Sequence, residues 1–124
     1  MLFRSLVMER RGWRNCHRLC YQSKVGASKW LQPSLRTTVR ELAAAKILDV
    51  CVVPIAFVSD HVETLGEIEH EARELAMGLG IRQFEMTPGL NDSPTFIRAL
   101  AELVMDKVGR VAASQLAEAV MAAD

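Results

Sequence analysis

The sequence predicts an α/β fold with three layers and a mainly parallel sheet, of which this chain holds a partial domain. Three short apolar stretches suited to strands alternate along the chain with stretches of helical periodicity. This order favours parallel strands joined by right-handed crossovers. Parallel strands need cover on both faces, and three strands are few, so we expect one unsatisfied sheet edge.

Ahead of the first strand, we expect residues 1–17 to form an unstructured or non-native arm and residues 18–124 to form the folded lobe. The arm is rich in arginine with scattered apolar residues, a composition that also suits an organelle transit peptide. We favour a truncated reading frame whose first residues are foreign to the fold.

The first half of the lobe is predicted to contain a strand, a helix and a second strand. Leu19–Val25 is a short candidate strand that ends at Gly26. A helix is expected from Pro33 to about Ala45, with an i, i+4, i+7 apolar stripe. The central strand covers about residues 48–58 and is nearly continuous in apolar residues, as is typical of a strand buried on both faces. The helical stripe consists of Leu35, Val39 and Leu42.

The second half is predicted to contain a helix, a strand and a final helix. The first of these helices covers residues 61–79 and is closed by glycines, and Gln83–Met86 is a short strand. After a turn-rich loop, Ser93 is the expected N-cap of a helix that runs to about Val108. Gly109 either breaks or kinks it, and the Ala-rich residues 111–123 favour helix. The side chains expected to face inward are Phe96, Leu100, Leu103 and Val104.

Composition and charge exclude several classes of protein. No apolar run reaches the roughly 18–20 residues that span a bilayer. The first 40 residues carry nine Lys or Arg and one acid. They lack interleaved aromatics or a nucleic-acid-reading motif, so we expect no nucleic-acid partner and leave peripheral membrane contact open. Three cysteines, an odd number, without a secretory signal favour a reducing compartment, and we expect a cytoplasmic protein.

Polar side chains gather where the central strand runs into the following helix: Ser59, Asp60, His61 and Glu63. One interpretation is helix capping, since Asp60 is a suitable N-cap and Glu63 follows at the capping-box spacing. The other is a ligand site, because ligands of open α/β sheets bind at the carboxyl ends of strands.

Beyond this junction the helix carries a row of acids, which we call the carboxylate row: Glu63, Glu67 and Glu71 at i, i+4 and i+8. Like charges at that spacing cost roughly 0.2–0.5 kcal/mol per pair. Arg73 is the only cation between Asp60 and Gly80. A row of this kind therefore suits a metal ion or proton transfer better than stability. The packing face is expected to be Val62, Leu65, Ile68, Ala72, Leu75 and Leu79.

Three segments resemble the C-terminal lobe of ferrochelatases, enzymes that insert Fe²⁺ into protoporphyrin to make haem. Ser59–Leu65 after Val53–Phe57 carries the most specific motif, Ser-Asp-His-Val-Glu-Thr-Leu. Tyr21–Gly26, followed by Trp-Leu-Gln-Pro, is similar to the porphyrin-side segment, and Leu90–Phe96 is similar to the last loop. The resemblance covers about residues 18–107, and the family's first lobe, with its Ser-x-His motif, is absent.

The resemblance implies roles for particular residues. Glu63 would be the inner carboxylate, catalytic together with His61, and would bind the metal with Glu67 and Glu71. Asp60 and His61 would orient the inner group by hydrogen bonding; a structural histidine is the alternative for His61. Porphyrin contacts would come from Tyr21, Gln22, Ser23, Lys24 and Trp30. From the residues alone, Trp30 would instead cover a core edge, and Lys24 is equally suited to a solvated surface.

The expected function is insertion of Fe²⁺ into protoporphyrin IX by a fragment that lacks the first lobe, with that missing lobe as a further partner. Fe²⁺ would be a substrate, with no permanently bound cofactor. We expect no iron–sulfur cluster, since the C-terminal part has no cysteine after Cys51. The alternatives are a non-catalytic α/β interaction module and another tetrapyrrole chelatase that uses cobalt or nickel.

Overall fold

A β–helix–β crossover forms the centre of the computed structural model, which describes residues 3–22 and 29–121. Strand β1 (Asp49–Val52) leads to a π-helix (Thr64–Ala72) that continues as helix α3 (Arg73–Gly78), and strand β2 (Gln83–Met86) follows. The two strands are parallel neighbours. The α/β class with a parallel sheet is thus confirmed for a partial domain.

The register of the two strands is fixed at both ends by hydrogen bonds. Asp49 lies opposite Gln83, and the carboxylate of Asp49 accepts from both Nη2 and Nε of Arg82, with the shortest distance 2.8 Å. At the far end, the backbone N–H of Thr87 donates to the carbonyl of Val52 at 2.9 Å. Both strands therefore end at the same edge, beside the loops that carry the polar side chains.

Helix α2 (Leu35–Ala44) packs across the π-helix and α3. Ser34 is its N-cap, and its hydroxyl accepts from the N–H of Thr37 at 3.1 Å, as capping chemistry favours. The predicted helix and its apolar stripe are confirmed: Leu35 and Val39 are buried, and Leu42 is partly buried against the core. The buried core of the described residues consists of Leu35, Val39, Ile68, Ala72, Ala76, Ile81 and Phe84.

The predicted first and central strands differ from the structure. Of the segment Leu19–Val25, the described part holds only an isolated bridge between Tyr21 and Ser34. The central strand is four residues long, because after Val52 the chain meets Pro54, which has no N–H to donate to a ladder. In the part of the chain that the structure describes, the sheet therefore has two strands rather than three.

The predicted packing face of the helix after Asp60 is confirmed for Ile68, Ala72 and Leu75, which are buried or pack against the core, and wrong for the other three residues. Val62 is 82% exposed, and Leu65 and Leu79 are also exposed. The buried side chains recur at every fourth position instead: Thr64, Ile68, Ala72 and Ala76. A four-residue step overshoots an α-helical turn of 3.6 residues, whereas the wider π turn, with its i→i+5 hydrogen bonds, keeps such a row on one side.

The last helix, α4 (Pro94–Met121), begins where the sequence predicts and continues past Gly109 without a break. Among the described residues, no other helix or strand packs against it. The expectation of inward-facing side chains is therefore wrong for Leu100, Leu103 and Val104, which are exposed, while Phe96 is half-buried.

The chain begins with helix α1 (Phe3–Arg11), which lies inside the expected arm. These residues are therefore helical and not unstructured. The division of the chain at residue 18 stays a prediction. No helix within residues 3–22 and 29–121 combines the length and apolar character needed to cross a membrane.

Candidate functional site

A cleft of about 300 Å³ lies between the π-helix and the segment that leads into α2. It joins residues that are far apart in sequence. Its lining consists of Tyr21, Gln22, Trp30, Gln32, Ser34, Leu35, Arg36, Glu67 and Glu71. Three of the five expected porphyrin-side residues and two of the three expected metal ligands thus share one cleft.

Backbone pairing holds the aromatic wall of this cleft in place. The N–H of Tyr21 donates to the carbonyl of Pro33, and the N–H of Leu35 donates to the carbonyl of Tyr21, both at 2.9 Å. The indole Nε1 of Trp30 donates to the carbonyl of Gln22 at 3.2 Å. Trp30 is half-buried and borders the cleft. Ser23 and Lys24 lie outside the described residues.

Two members of the carboxylate row receive donors from the opposite wall. The Nε2 of Gln22 lies 2.5 Å from Oε2 of Glu67, and Nη2 of Arg36 lies 2.8 Å from Oε2 of Glu71. Glu67 therefore has a neutral partner and Glu71 a charged one, and sequence spacing could identify neither. Arg73, the only cation we expected nearby, contacts Glu69 and Glu85 instead.

Arg73 illustrates how the row stays separate from the other charges of the helix. Its guanidinium lies 2.5 Å from Oε1 of Glu69 and 3.2 Å from Oε2 of Glu85. The hydrogen bond to Glu85, followed by the contact with Glu69, raises the pKa of Arg73. Arg73 thus ties the helix to β2, and it leaves Glu67 and Glu71 facing the cleft.

Glu63 and His61 lie before the π-helix, and neither belongs to the cleft lining described above. The Nδ1 of His61 accepts from the N–H of Glu63 at 3.2 Å, and the ring of Phe57 meets the imidazole edge to face, with centroids 4.2 Å apart. The Nε2 atom of His61 is buried and has no hydrogen-bond partner among the described residues. Because Nδ1 accepts, a neutral His61 carries its proton on this unpartnered Nε2.

The backbone N–H groups at this junction are bound by Thr64 and His61 rather than by Asp60. The hydroxyl of Thr64 accepts from the N–H of His61 and donates to its carbonyl, both at 3.0 Å. Thr64 is 1% exposed, so these bonds satisfy polar groups away from water. The sequence missed Thr64 because threonine is an ordinary helix residue without a spacing signal of its own.

Asp60 joins two loops. Its expected roles, as N-cap and as a hydrogen-bonding partner that orients Glu63, are therefore wrong. Its carboxylate accepts from the N–H of Gly89 at 2.8 Å and from Nδ2 of Asn91 at 2.9 Å. Its own N–H donates to Oδ1 of Asn91 at 2.9 Å. The amide of Asn91, and then the N–H of Gly89, lower the pKa of Asp60 because both stabilise the anion.

Gly89 fits this joint because it has no side chain. A Cβ atom there would lie 2.7 Å from the backbone N of Asp60 and 2.9 Å from the carbonyl carbon of Ser59. The Pro-Gly pair in the turn-rich loop was the available sequence signal, but it indicates a turn and not a close approach.

The arrangement places carboxylates along one cleft without assembling a ligand cage. Within residues 3–22 and 29–121, no three His, Cys, Asp or Glu side chains converge as a metal cluster. Carboxylate oxygens suit hard or borderline cations, and an aromatic wall suits a flat apolar ring. The fold and the cleft thus define an α/β lobe with a cleft bordered by aromatic side chains on one side and carboxylates on the other. The metal and catalytic assignments stay predictions.

Comparison with known proteins identifies the family. A model of the ferrochelatase family matches residues 3–108. The chain is 47% identical over 106 residues to the ferrochelatase of Nostoc sp. (strain PCC 7120), which covers 86% of this chain and 27% of that protein. It is 50% identical over 99 residues to the ferrochelatase of Synechococcus sp. (strain JA-3-3Ab), covering 80% and 29%. The chain belongs to the ferrochelatase family.

These matches cover only part of the relatives. The ferrochelatase of Nostoc punctiforme is 49% identical over 102 residues, which are 82% of this chain and 26% of that protein. The chain thus spans between a quarter and a third of these relatives' length. The family match also starts upstream of residue 18, where we placed the beginning of the lobe.

Proposed function

We propose that this chain takes part in inserting Fe²⁺ into protoporphyrin IX to form protohaem, and that it supplies one wall of that site. The observation that carries the proposal is the cleft in which Trp30 and Tyr21 border the same space as Glu67 and Glu71. Membership of the ferrochelatase family supports the reaction.

The reaction exchanges one Fe²⁺ for the two pyrrole N–H protons of the ring. A base must receive those protons, and the ligands must release the cation. Carboxylates bind Fe²⁺ less tightly than thiolates or imidazole clusters, so they suit transfer. We assign catalysis to Glu63 and His61 and metal binding to Glu63, Glu67 and Glu71. The porphyrin side consists of Tyr21, Gln22, Ser23, Lys24 and Trp30.

The positions of the polar side chains along the π-helix support a metal path with an inner and an outer end. His61 and Glu63 precede the helix, and the buried Nε2 of His61 is an unpartnered donor among the described residues. A buried polar group without a partner costs about 1–3 kcal/mol, which a bound acceptor would remove. The cleft residues Glu67 and Glu71 lie further along the helix and form the outer end.

We further propose a set of partners and a location. The family's first lobe, which lies outside these 124 residues, would supply the opposite wall. Protoporphyrin IX and Fe²⁺ would be the substrates, and no nucleic acid would bind. The free thiols of Cys16, Cys20 and Cys51 support a reducing compartment such as the cytoplasm. Contact with a membrane surface would be peripheral, and this chain would carry no iron–sulfur cluster.

Anaerobic titrations test the proposal. The chain should bind protoporphyrin weakly, which a change in protoporphyrin fluorescence would report. Fe²⁺ should bind without rapid haem formation, because one wall is not a complete site. Glu63→Gln should weaken Fe²⁺ binding by about tenfold or more. Substitutions of residues that only support a metal ligand often cost that much in affinity, so loss of a ligand should cost at least as much. Glu74→Gln is the matched control, because Glu74 is a largely exposed carboxylate in α3, which continues the π-helix.

Two results would contradict the proposal. Rapid metallation by the chain alone would show that a second wall is unnecessary. Equal Fe²⁺ binding by Glu63→Gln, Glu74→Gln and the unmodified chain would remove Glu63 from the metal path and favour a non-catalytic interaction module. The exposed apolar side chains of α4 support that second candidate.

A further inference from the structure

The outer end of the carboxylate row is already paired with a cation of the same chain. Arg36 is in the first turn of α2, and its Nη2 lies 2.8 Å from Oε2 of Glu71. Both side chains line the cleft. The guanidinium is 58% exposed and the carboxylate 52% exposed, so the pair is open to exchange with solvent ions.

The neighbouring carboxylate has a different kind of partner. Glu67 receives a hydrogen bond from the neutral amide of Gln22, which leaves its charge in place. Glu71 receives a full positive charge from Arg36. The two carboxylates are identical in chemistry and one π-helical turn apart, yet among the residues that the structure describes a cation pairs with the outer one alone.

We propose that Arg36 acts as a tethered counter-ion that sets the direction of cation movement along the row. It is a positioning and selectivity residue, and this role rests on the proposed function. An entering divalent cation must displace the guanidinium from Glu71, whereas at Glu67 the partner found among residues 3–22 and 29–121 is a neutral amide. The cation therefore binds more weakly at the outer carboxylate than further in.

The strength of the ion pair decides whether Arg36 weakens or blocks binding at Glu71. Pairs that are this exposed shift an equilibrium by no more than about fivefold, and salt screens them. Arg36 therefore lowers the affinity of the outer end without closing it. A divalent cation carries twice the charge of a monovalent one, so it competes better with the guanidinium. Weak outer binding suits a path that passes the ion on.

Binding of Mn²⁺ to the full chain at low ionic strength tests the inference. The loss of the electron paramagnetic resonance signal of free Mn²⁺ measures the binding. Mn²⁺ is the probe because it prefers carboxylate oxygen. Arg36→Gln should bind about three- to fivefold more tightly than the unmodified chain. Arg36→Lys keeps the charge and should stay near the unmodified value. Arg40→Gln removes the same charge from the next turn of α2 and is the matched control.

A double-mutant cycle shows whether the effect passes through Glu71. The gain from Arg36→Gln should disappear when Glu71→Gln is already present. Arg36→Met replaces Arg36→Gln if the latter does not give the circular dichroism of the folded chain. High salt should reduce the gain.

The outcomes separate the inference from the proposed function. If Arg36→Gln binds Mn²⁺ no better than Arg40→Gln, or if its gain persists in the Glu71→Gln background, the inference is wrong while the metal path stands. If neither the unmodified chain nor Arg36→Gln binds Mn²⁺ at millimolar concentration, both fail. Arg36→Gln binding more weakly than the unmodified chain also overturns the inference, since Arg36 would then support the site.

Discussion

Asp60 and Gly89 are 29 residues apart in sequence and in direct contact. Their contact places the loop before the π-helix against the loop before α4. The amide of Asn91 closes the joint by bonding both the N–H and the carboxylate of Asp60. At the scale of single residues, this joint holds in place the segment just before the π-helix, where Glu63 lies.

Gly89→Ala should destabilise the chain. The added methyl group would lie 2.7 Å from a backbone nitrogen, and backbone cannot move aside as a flexible side chain can. Overpacking of this kind typically costs 1–3 kcal/mol, measured as a lower urea midpoint for unfolding. Gly66→Ala is the control, because nothing lies within 4 Å of a Cβ at position 66. Equal midpoints for the two variants would contradict the close approach.

The joint also predicts a dependence of stability on pH. The pKa of Asp60 is lower in the folded chain than in the unfolded chain because Asn91 and Gly89 stabilise its anion. Its contribution is therefore present above the unfolded pKa of about 3.9 and is lost as pH falls through the lower folded value. Urea midpoints between pH 6 and pH 3 measure this loss.

Asp60→Asn should remove part of that decline, since the variant side chain has no charge to protonate. Asp92→Asn should retain it, because Asp92 is an exposed aspartate of the other loop, the one before α4. An Asp60→Asn variant with an unchanged slope of stability against pH would show that the joint does not depend on the charge.

At the scale of elements, the π-helix explains why part of the sequence interpretation succeeded and part failed. Periodicity correctly predicted that a helix with a carboxylate row is present. The packing face was predicted with α-helical spacing, and this spacing does not apply to a π-helix. The buried side chains at every fourth position, from Thr64 to Ala76, were already visible as a threonine, an isoleucine and two alanines. Residues 63, 67 and 71 repeat the same interval beside them. Two adjacent patterns of period four indicate the wider turn.

Strand β2 and the beginnings of α2 and α4 were predictable because each depends on local chemistry. Ser34 caps its own helix, and Pro94 occupies the first turn, where a missing N–H does no harm. The ion pair between Arg36 and Glu71 joins residues 35 positions apart. No periodicity encodes such a pair, so the charge balance of the row could not be derived from its helix alone.

At the scale of the whole molecule, apolar surface is concentrated on α4. Leu103 is 66% exposed, Val104 61% and Met105 68%. Contiguous exposed apolar surface of this kind is rare on soluble monomers and marks contact sites or a tendency to associate. The sequence interpretation turned these residues inward because helix periodicity gives a face and does not reveal whether anything covers it.

We therefore expect the chain to self-associate through α4 and to bind the apolar dye ANS. Leu103→Gln should reduce both, because it removes one of the most exposed apolar side chains of the helix. Light scattering against concentration measures the association. Lys107→Gln, one turn further along α4, should leave both unchanged. Association that is equal in the two variants would show that another surface is responsible.

Among the described residues, β1 has β2 as its only neighbour, and the reverse is equally true. Along each strand, alternate backbone groups point away from the pair, so the sheet can engage only about half of its own amides and carbonyls. Resistance to local opening must then come from the side chains above the sheet, where Phe84 and Ile81 pack with α2 and the π-helix. The helices secure the strands here, in contrast to large sheets in which the ladder itself is the most persistent part of the fold.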